Sequence, residues 1–333
     1  MRRVLVFQTA FLGDLILVSP LLKSLKRTFP GAEVSLVVRK GFEEVFRGAP
    51  FVSQIIPFDK KGVWKFSRLL ASGDFELVVS PHRSHRTSLI LWLSGIKRRI
   101  GFDKAGFSFF YTDRVKYRMG KGIHEIDRNL DLLRPLERDY SVVYDREPEL
   151  PLTPAEVGKA LKKFSLEKSY VVLAPGSVWR TKAWLPEYYA EVANYFKGKG
   201  LTVVLVGSPS DSPYCKRVEE LSEGVINLCG KTSLREFFSV VKGALLVISN
   251  DSSPVHVAIS VGTPVLEIYG ATVPEFGFFP YRNGLYVELE DLHCRPCGIH
   301  GGRKCPEGHF KCMVDLKPEV VIEKAEELLS SLS

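Results

Sequence analysis

Residues 245–270, LLVISNDSSPVHVAISVGTPVLEIYG, constrain the fold more than any other stretch. An apolar segment ends in Asn250-Asp251, Ser252-Ser253-Pro254 opens a short apolar helix, and residues 264–269 follow Gly262-Thr263 as a second apolar segment. The order is strand, tight turn, helix, strand. Strands joined through a helix at this spacing lie parallel in one sheet with a right-handed crossover, which commits the chain to an α/β architecture. Serine is a good N-cap and proline suits the first helical position, so the amides of Ser252 and Ser253 sit at a helix start, without intrahelical partners and with positive partial charge. An anion is favoured there. Asp251 and His256 flank the spot, where they serve equally as a plain cap and a packed ring.

The same alternation runs along the whole chain. Strands are predicted at 4–7, 33–38, 54–58 and 76–80, with helices at 15–29, 42–46, 63–70 and 84–93, and a helix at 127–136 closes the first half. Residues 147–154, EPELPLTP, are proline-rich and aperiodic, which marks a linker. The pattern restarts with strands at 170–173, 202–207 and 225–228, helices beginning near Pro186 and Ser233, and a final amphipathic helix over 318–329. A chain of 333 residues exceeds one ordinary core, so two domains are expected, 1–150 and 151–333.

With 45% hydrophobic and 25% charged residues the chain is an ordinary globular one rather than disordered. Its net charge of +8 is unevenly spread: residues 1–150 carry 26 Lys and Arg against 17 Asp and Glu, residues 151–333 carry 20 against 21. A basic first half favours an anionic partner, whether nucleic acid, anionic lipid or a phosphorylated glycan, and is also compatible with a merely solvated face. Arg83, Arg86 and Lys121 are expected on its loops and strand exits, together with His82, Arg98, Arg99, Lys116 and Arg118, around an aromatic run at 107–111. Basic and aromatic residues interleaved this way also suit single-stranded nucleic acid, but no recognised nucleic-acid module accompanies them. No apolar run approaches the roughly 18 residues of a membrane span. Asp14 splits the apolar region of the N-terminus and no small-x-small cleavage site follows, so export is not expected and a cytoplasmic location is.

Further chemistry is placed at strand exits, where open parallel sheets bind ligands. Gly13-Asp14 follows the first strand; the loop lacks G-x-G-x-x-G, which argues against a dinucleotide enzyme, and Asp14 is either a functional acid or a plain cap. After the strand at 170–173, APGSVWRTKAW offers Ser177, Arg180, Thr181 and Lys182 to phosphate oxygens. Gly230-Lys231-Thr232 fails as a P-loop because Val225 stands where the first glycine belongs. The tail holds C-x2-C-x7-C-x6-C, formed by Cys294, Cys297, Cys305 and Cys312, whose thiols bind metal, pair or stay reduced.

Taken in order, FLGDLILVSPLLKSLKRTFPGAEVSLVV, the lysine loop, Gly230-Lys231-Thr232, NDSSPVHVAISVGTPVLEIYG and the cysteine tail resemble the ADP-heptose:lipopolysaccharide heptosyltransferases, in particular the heptosyltransferase II type. The resemblance implies a GT-B fold, two Rossmann-like domains facing across a cleft, with acceptor on the first and nucleotide sugar on the second. It implies an inverting glycosyltransferase that moves heptose from ADP-heptose to the inner core of lipopolysaccharide, with Asp14 as base, Lys182 as the second catalytic residue stabilising the departing ADP, and no cofactor beyond the donor. Donor contacts would come from Gly13, Ser177, Lys182, Thr232, Ser233, Asp251, Ser252, Ser253 and His256, and acceptor contacts from Arg83, Arg86 and Lys121. Ser253 stands where many members have glycine. The acceptor would be an anionic lipid-linked glycan of the heptosyl-Kdo-lipid A type, which implies a peripheral place on the cytoplasmic face of the inner membrane. Another nucleotide-sugar transferase, or a basic nucleic-acid-binding protein, remain the alternative readings.

Overall fold

The computed structural model describes residues 1–166 and 168–331; Glu167, and Leu332 and Ser333 at the end of the expected second domain, lie outside the described residues. The chain divides into two compact units, Met1–Met119 with Ile123–Pro151 and Gly120–Gly122 with Leu152–Ser333.

In the first unit the strands are β1 Arg3–Phe7, β2 Glu33–Arg39, β3 Gln54–Phe58, β4 Leu77–Ser80, β5 Arg98–Phe102 and β6 Asp113–Val115. All pair parallel, in the order β3-β2-β1-β4-β5-β6. In the second unit β7 Tyr170–Ala174, β8 Thr202–Leu205, β9 Ile226–Asn227, β10 Leu246–Asn250, β11 Val265–Ile268 and β12 Gly284–Val287 pair parallel in the order β12-β11-β10-β7-β8-β9. Both are doubly wound sheets with the same strand order, the Rossmann arrangement. Helices cover both faces, which is why β4, β7 and β10 are buried along their whole length and read as continuous apolar runs. The second core gathers Trp184, Tyr189 and Phe196 against β7 and β8, and the first packs Phe7, Phe58 and Phe66 edge to face or tilted.

Several expected elements differ. The helix expected over 15–29 is two, Leu12–Ile16 and Ser19–Thr28, because Pro20 has no amide to donate to Ile16; the Ser19 hydroxyl donates to the Ile16 carbonyl instead, at 2.9 Å. Residues 42–46 form turns rather than a helix, bracketed by Gly41 and Gly48 with positive φ. The helix expected at 127–136 is Glu125–Asp131, started by the His124 ring, which accepts from the Ile126 amide; Pro135 then forces a 3-10 turn, Arg134–Arg138. The linker is shorter than expected, since Thr153 and Glu156 form a capping box that starts the helix Pro154–Lys163. β5 and β6 were not anticipated, and Arg98 and Arg99 lie on β5, not in a loop. Arg86 likewise sits in the helix His85–Leu93.

Candidate functional site

In a doubly wound sheet the loops leaving the two central strands diverge and open a crevice at their carboxyl ends. In the second unit those strands are β7 and β10, and they deliver the lysine loop and Asp251-Ser252 to the same place. Asn250, the last residue of β10 and fully buried, joins the two exits: its Oδ1 accepts from the Trp184 amide at 3.0 Å, and its Nδ2 donates to the carbonyls of Pro175 at 2.9 Å and Gly176 at 3.2 Å. Lys182 ends the 3-10 turn Arg180–Lys182, and its Nζ lies 2.6 Å from Asp251 Oδ2. Thr272 Oγ1 donates to the same oxygen at 2.6 Å.

Burial raises the Asp251 carboxyl, but the Lys182 charge and the hydrogen bonds from Lys182 and Thr272 outweigh it and hold the group below the usual carboxylate range. Asp251 is therefore ionised, and Lys182 keeps N–H donors to spare beyond the one facing Asp251. The helix Ser253–Val261 begins here behind an extended Ser252, with Pro254 at its second position. The Ser252 hydroxyl turns back to the Asn250 carbonyl at 3.2 Å instead of capping the helix, so the Ser253 amide, at the first helical position, has no intrahelical acceptor. His256 is buried; desolvation, assisted by Lys182 and opposed by Asp251, lowers its ring to about 4, so it is neutral. Its Nδ1 has no hydrogen-bond partner among the described residues. The Ser177 hydroxyl accepts from the Trp179 amide at 3.3 Å. Thr232 and Ser233 start the helix Leu234–Lys242, where the Ser233 hydroxyl is taken up by a capping box with Glu236, leaving it one acceptor position.

The cysteine tail supports this site from behind. The Arg295 guanidinium gathers the carbonyls of Gly270, Leu289 and Thr272, the last at 2.7 Å, together with the Glu288 carboxylate at 2.7 Å. Gly302 donates its amide to Thr181 Oγ1 at 2.7 Å. All six cysteines are free thiols, and no group of three metal-binding side chains occurs among the described residues. Beside Asp251, on β11, Glu267 is fully buried, and burial followed by the Asp251 charge pushes its carboxyl far above the usual range.

In the first unit the central strands are β1 and β4. Their exits meet through His82, whose Nδ1 lies 3.2 Å from Thr9 Oγ1 and 2.7 Å from Thr87 Oγ1. Burial, with Lys60 and Arg83, lowers the ring of His82 to about 4. Gly13 is buried, and Asp14 is the third residue of Leu12–Ile16, half-buried. Burial and then the charge of Glu125 push its carboxyl up to about 6, against the amides of Phe11 and Asp14 and the charge of Arg83. Glu125 is itself held by the Tyr117 hydroxyl at 3.2 Å and by the fully buried Arg128 at 2.6 Å, while Arg83 stacks on the Tyr117 ring, 3.9 Å from its centre. A carboxyl that titrates near neutrality beside a strand exit is suited to taking up a proton.

The structure thus brings together Lys182, Asp251, Ser252, Ser253 and His256 in one unit, and Gly13, Asp14 and Arg83 in the other. Arg86 and Lys121 are exposed, and Lys121 falls in the short segment grouped with the second unit. Asn250, Thr272 and Arg295, and Tyr117, Glu125 and Arg128, escaped the sequence reading. Only Asn250 carried a signal, a polar residue closing a buried strand.

A family model described as glycosyltransferase family 9 (heptosyltransferase) matches residues 63–306. A lipooligosaccharide heptosyltransferase 2 of Haemophilus influenzae is 23% identical over 350 residues, covering 98% of this chain and 99% of that protein. A glycosyl transferase family 9 crystal structure from Veillonella parvula superposes with TM-score 0.86 at 27% identity, covering 99% of this chain and 98% of that one. An Escherichia coli heptosyltransferase with ADP-2-deoxy-2-fluoro heptose gives TM-score 0.71 at 21% identity, covering 98% and 99%. The fold is GT-B, built of two Rossmann-like domains. The chain belongs to glycosyltransferase family 9, the heptosyltransferases.

Proposed function

We propose that the protein transfers heptose from ADP-heptose to the inner core of lipopolysaccharide, with inversion at the anomeric carbon. The observation that carries this is the Lys182–Asp251 pair beside the Ser253 amide, which has no intrahelical acceptor, at the strand switch point of the second unit. There the diphosphate meets a cation, a helix start and the Ser177 hydroxyl, and Asp251 orients heptose hydroxyls. Thr232 and the remaining acceptor position of Ser233 flank the adenine. His256, being neutral, fills the turn without competing for the anion. Residues 151–333 form the donor domain.

Residues 1–150, apart from the 120–122 segment that carries Lys121, form the acceptor domain, in which Arg83 and Arg86 meet anionic groups of the glycolipid. Asp14, assisted by Gly13, takes the proton of the acceptor hydroxyl as that oxygen bonds to the anomeric carbon and the bond to ADP breaks. Lys182 and the helix amides stabilise the charge growing on the departing diphosphate. A lipid-anchored acceptor places the enzyme at the cytoplasmic face of the inner membrane.

Incubation with ADP-heptose and a deacylated heptosyl-Kdo acceptor, followed by NMR of the product, is expected to show one added heptose of inverted configuration. Turnover with a different nucleotide sugar, and none with ADP-heptose, would contradict the donor assignment.

A further inference from the structure

An aromatic patch stands on the surface of the first unit. Trp92, Phe107 and Phe109 are 48%, 43% and 67% exposed. They form one cluster with Phe110: Trp92 stacks on Phe110 with centroids 4.8 Å apart, Phe109 lies 4.6 Å from Phe110, and Phe107 lies 5.8 Å from Phe110. The backbone goes out of its way to present them. Phe107 adopts left-handed φ 55° and ψ 43°, unfavourable for an aromatic residue. Gly106 before it leaves room for the His85 ring, which a Cβ would strike at 2.3 Å. Contiguous exposed rings held at conformational cost mark an interaction surface.

The charge beside the patch selects the partner. Lys97 and Lys104, both exposed, lie in the segment that joins Trp92 to Phe107, and Arg86 lies on the first turn of the helix that carries Trp92. The nearby carboxylates are occupied: Asp103 accepts from the Tyr117 amide at 2.9 Å and Asp113 lies 3.5 Å from Arg98. Rings that seat at the boundary of acyl chains and headgroups, accompanied by exposed cations a few residues away in the chain, complement an anionic bilayer. We propose that Trp92, Phe107, Phe109 and Phe110, with Lys97 and Lys104, dock the first unit on an anionic phospholipid surface. This rests on the reading that the acceptor is membrane-anchored.

Sedimentation of the full chain with glycolipid-free vesicles tests it separately from catalysis. The wild type is expected to bind phosphatidylcholine vesicles containing about 30% phosphatidylglycerol at least about 10-fold more strongly than pure phosphatidylcholine. Phe109→Ser, at a mostly exposed ring, is expected to weaken that binding about 5-fold or more. The double variant Lys97→Ser/Lys104→Ser is expected to weaken it and flatten its salt dependence. Both variants keep wild-type turnover on a deacylated, soluble acceptor. Absence of wild-type binding to anionic vesicles overturns the proposal, as does unchanged binding by both variants. Loss of turnover on the soluble acceptor would make the patch part of the acceptor pocket, and a dimer dispersed by Phe109→Ser would make it a contact between copies; either result also overturns it. Failure of heptose transfer with vesicle binding intact would count against the transferase reading alone.

Discussion

Asp14 and Asp251, carboxylic acids of the two units, are displaced in opposite directions. Asp251 is held ionised by Lys182 and Thr272, whereas Asp14 is pushed up to about 6 by burial and Glu125. A base must be unprotonated to act, so kcat/KM is expected to fall roughly tenfold per pH unit below about pH 6. A pH–rate profile flat down to pH 5 would remove Asp14 from the role, that limit being about a unit below its titration. Glu267 offers a separate check on stability. Its carboxyl keeps its proton in the folded protein at pH values where the unfolded chain has released it, so stability is whole below about pH 4 and is lost as pH rises. Glu267→Gln removes that loss: by thermal denaturation the variant is expected to be more stable than wild type at neutral pH and equal to it near pH 4, the unfolded-state value. At this scale the sequence showed the donors and acids themselves, because Gly-Asp, the lysine loop and Asp-Ser-Ser are local patterns. It could not show Thr272, 21 residues from Asp251, or Glu125, 111 residues from Asp14, since those partners meet only through the sheet.

Among elements, the legible ones announced their own ends. Ser233 with Glu236 forms the capping box its spacing allows, and Pro186 opens the helix Pro186–Gly198. β6, three residues reading Asp-Arg-Val, is too short and too polar to show alternation, and β5 opens on two half-buried arginines whose guanidinium groups bond to the carbonyls of Pro135 and Phe110, partners the local pattern does not show. The cysteine tail was legible as a cluster of thiols but not as a support for the site. Gly301 makes that support specific. It has φ +73°, and a Cβ would lie 2.9 Å from Thr181 Oγ1 and 3.0 Å from Lys182 Cγ. Gly301→Ala therefore strains the turn and crowds the lysine stem; the KM for ADP-heptose is expected to rise about 3- to 10-fold with little change in thermal stability. An unchanged KM would show that the tail does not position Lys182.

For the whole molecule, the alternation of strands and helices was enough to foresee two parallel sheets, since a right-handed crossover leaves few other solutions. That both sheets share one strand order was not visible, because order is set by which strand edges pair and not by local pattern. The charge asymmetry of the chain has a kinetic consequence. With the excess of positive charge in residues 1–150, raising salt from about 0.05 to 0.3 M is expected to raise the KM of a phosphorylated acceptor several-fold, and more than that of the donor. Equal sensitivity of the two would contradict the division of labour between halves. Asp14→Asn separates the two roles, preparation of the acceptor by Asp14 and retention of the leaving group by the Lys182–Asp251 site. Single-turnover rates are expected to fall by about 10²- to 10⁴-fold while calorimetric ADP affinity stays within about twofold of wild type. Unchanged turnover, or ADP affinity lost in step with the rate, would contradict that assignment.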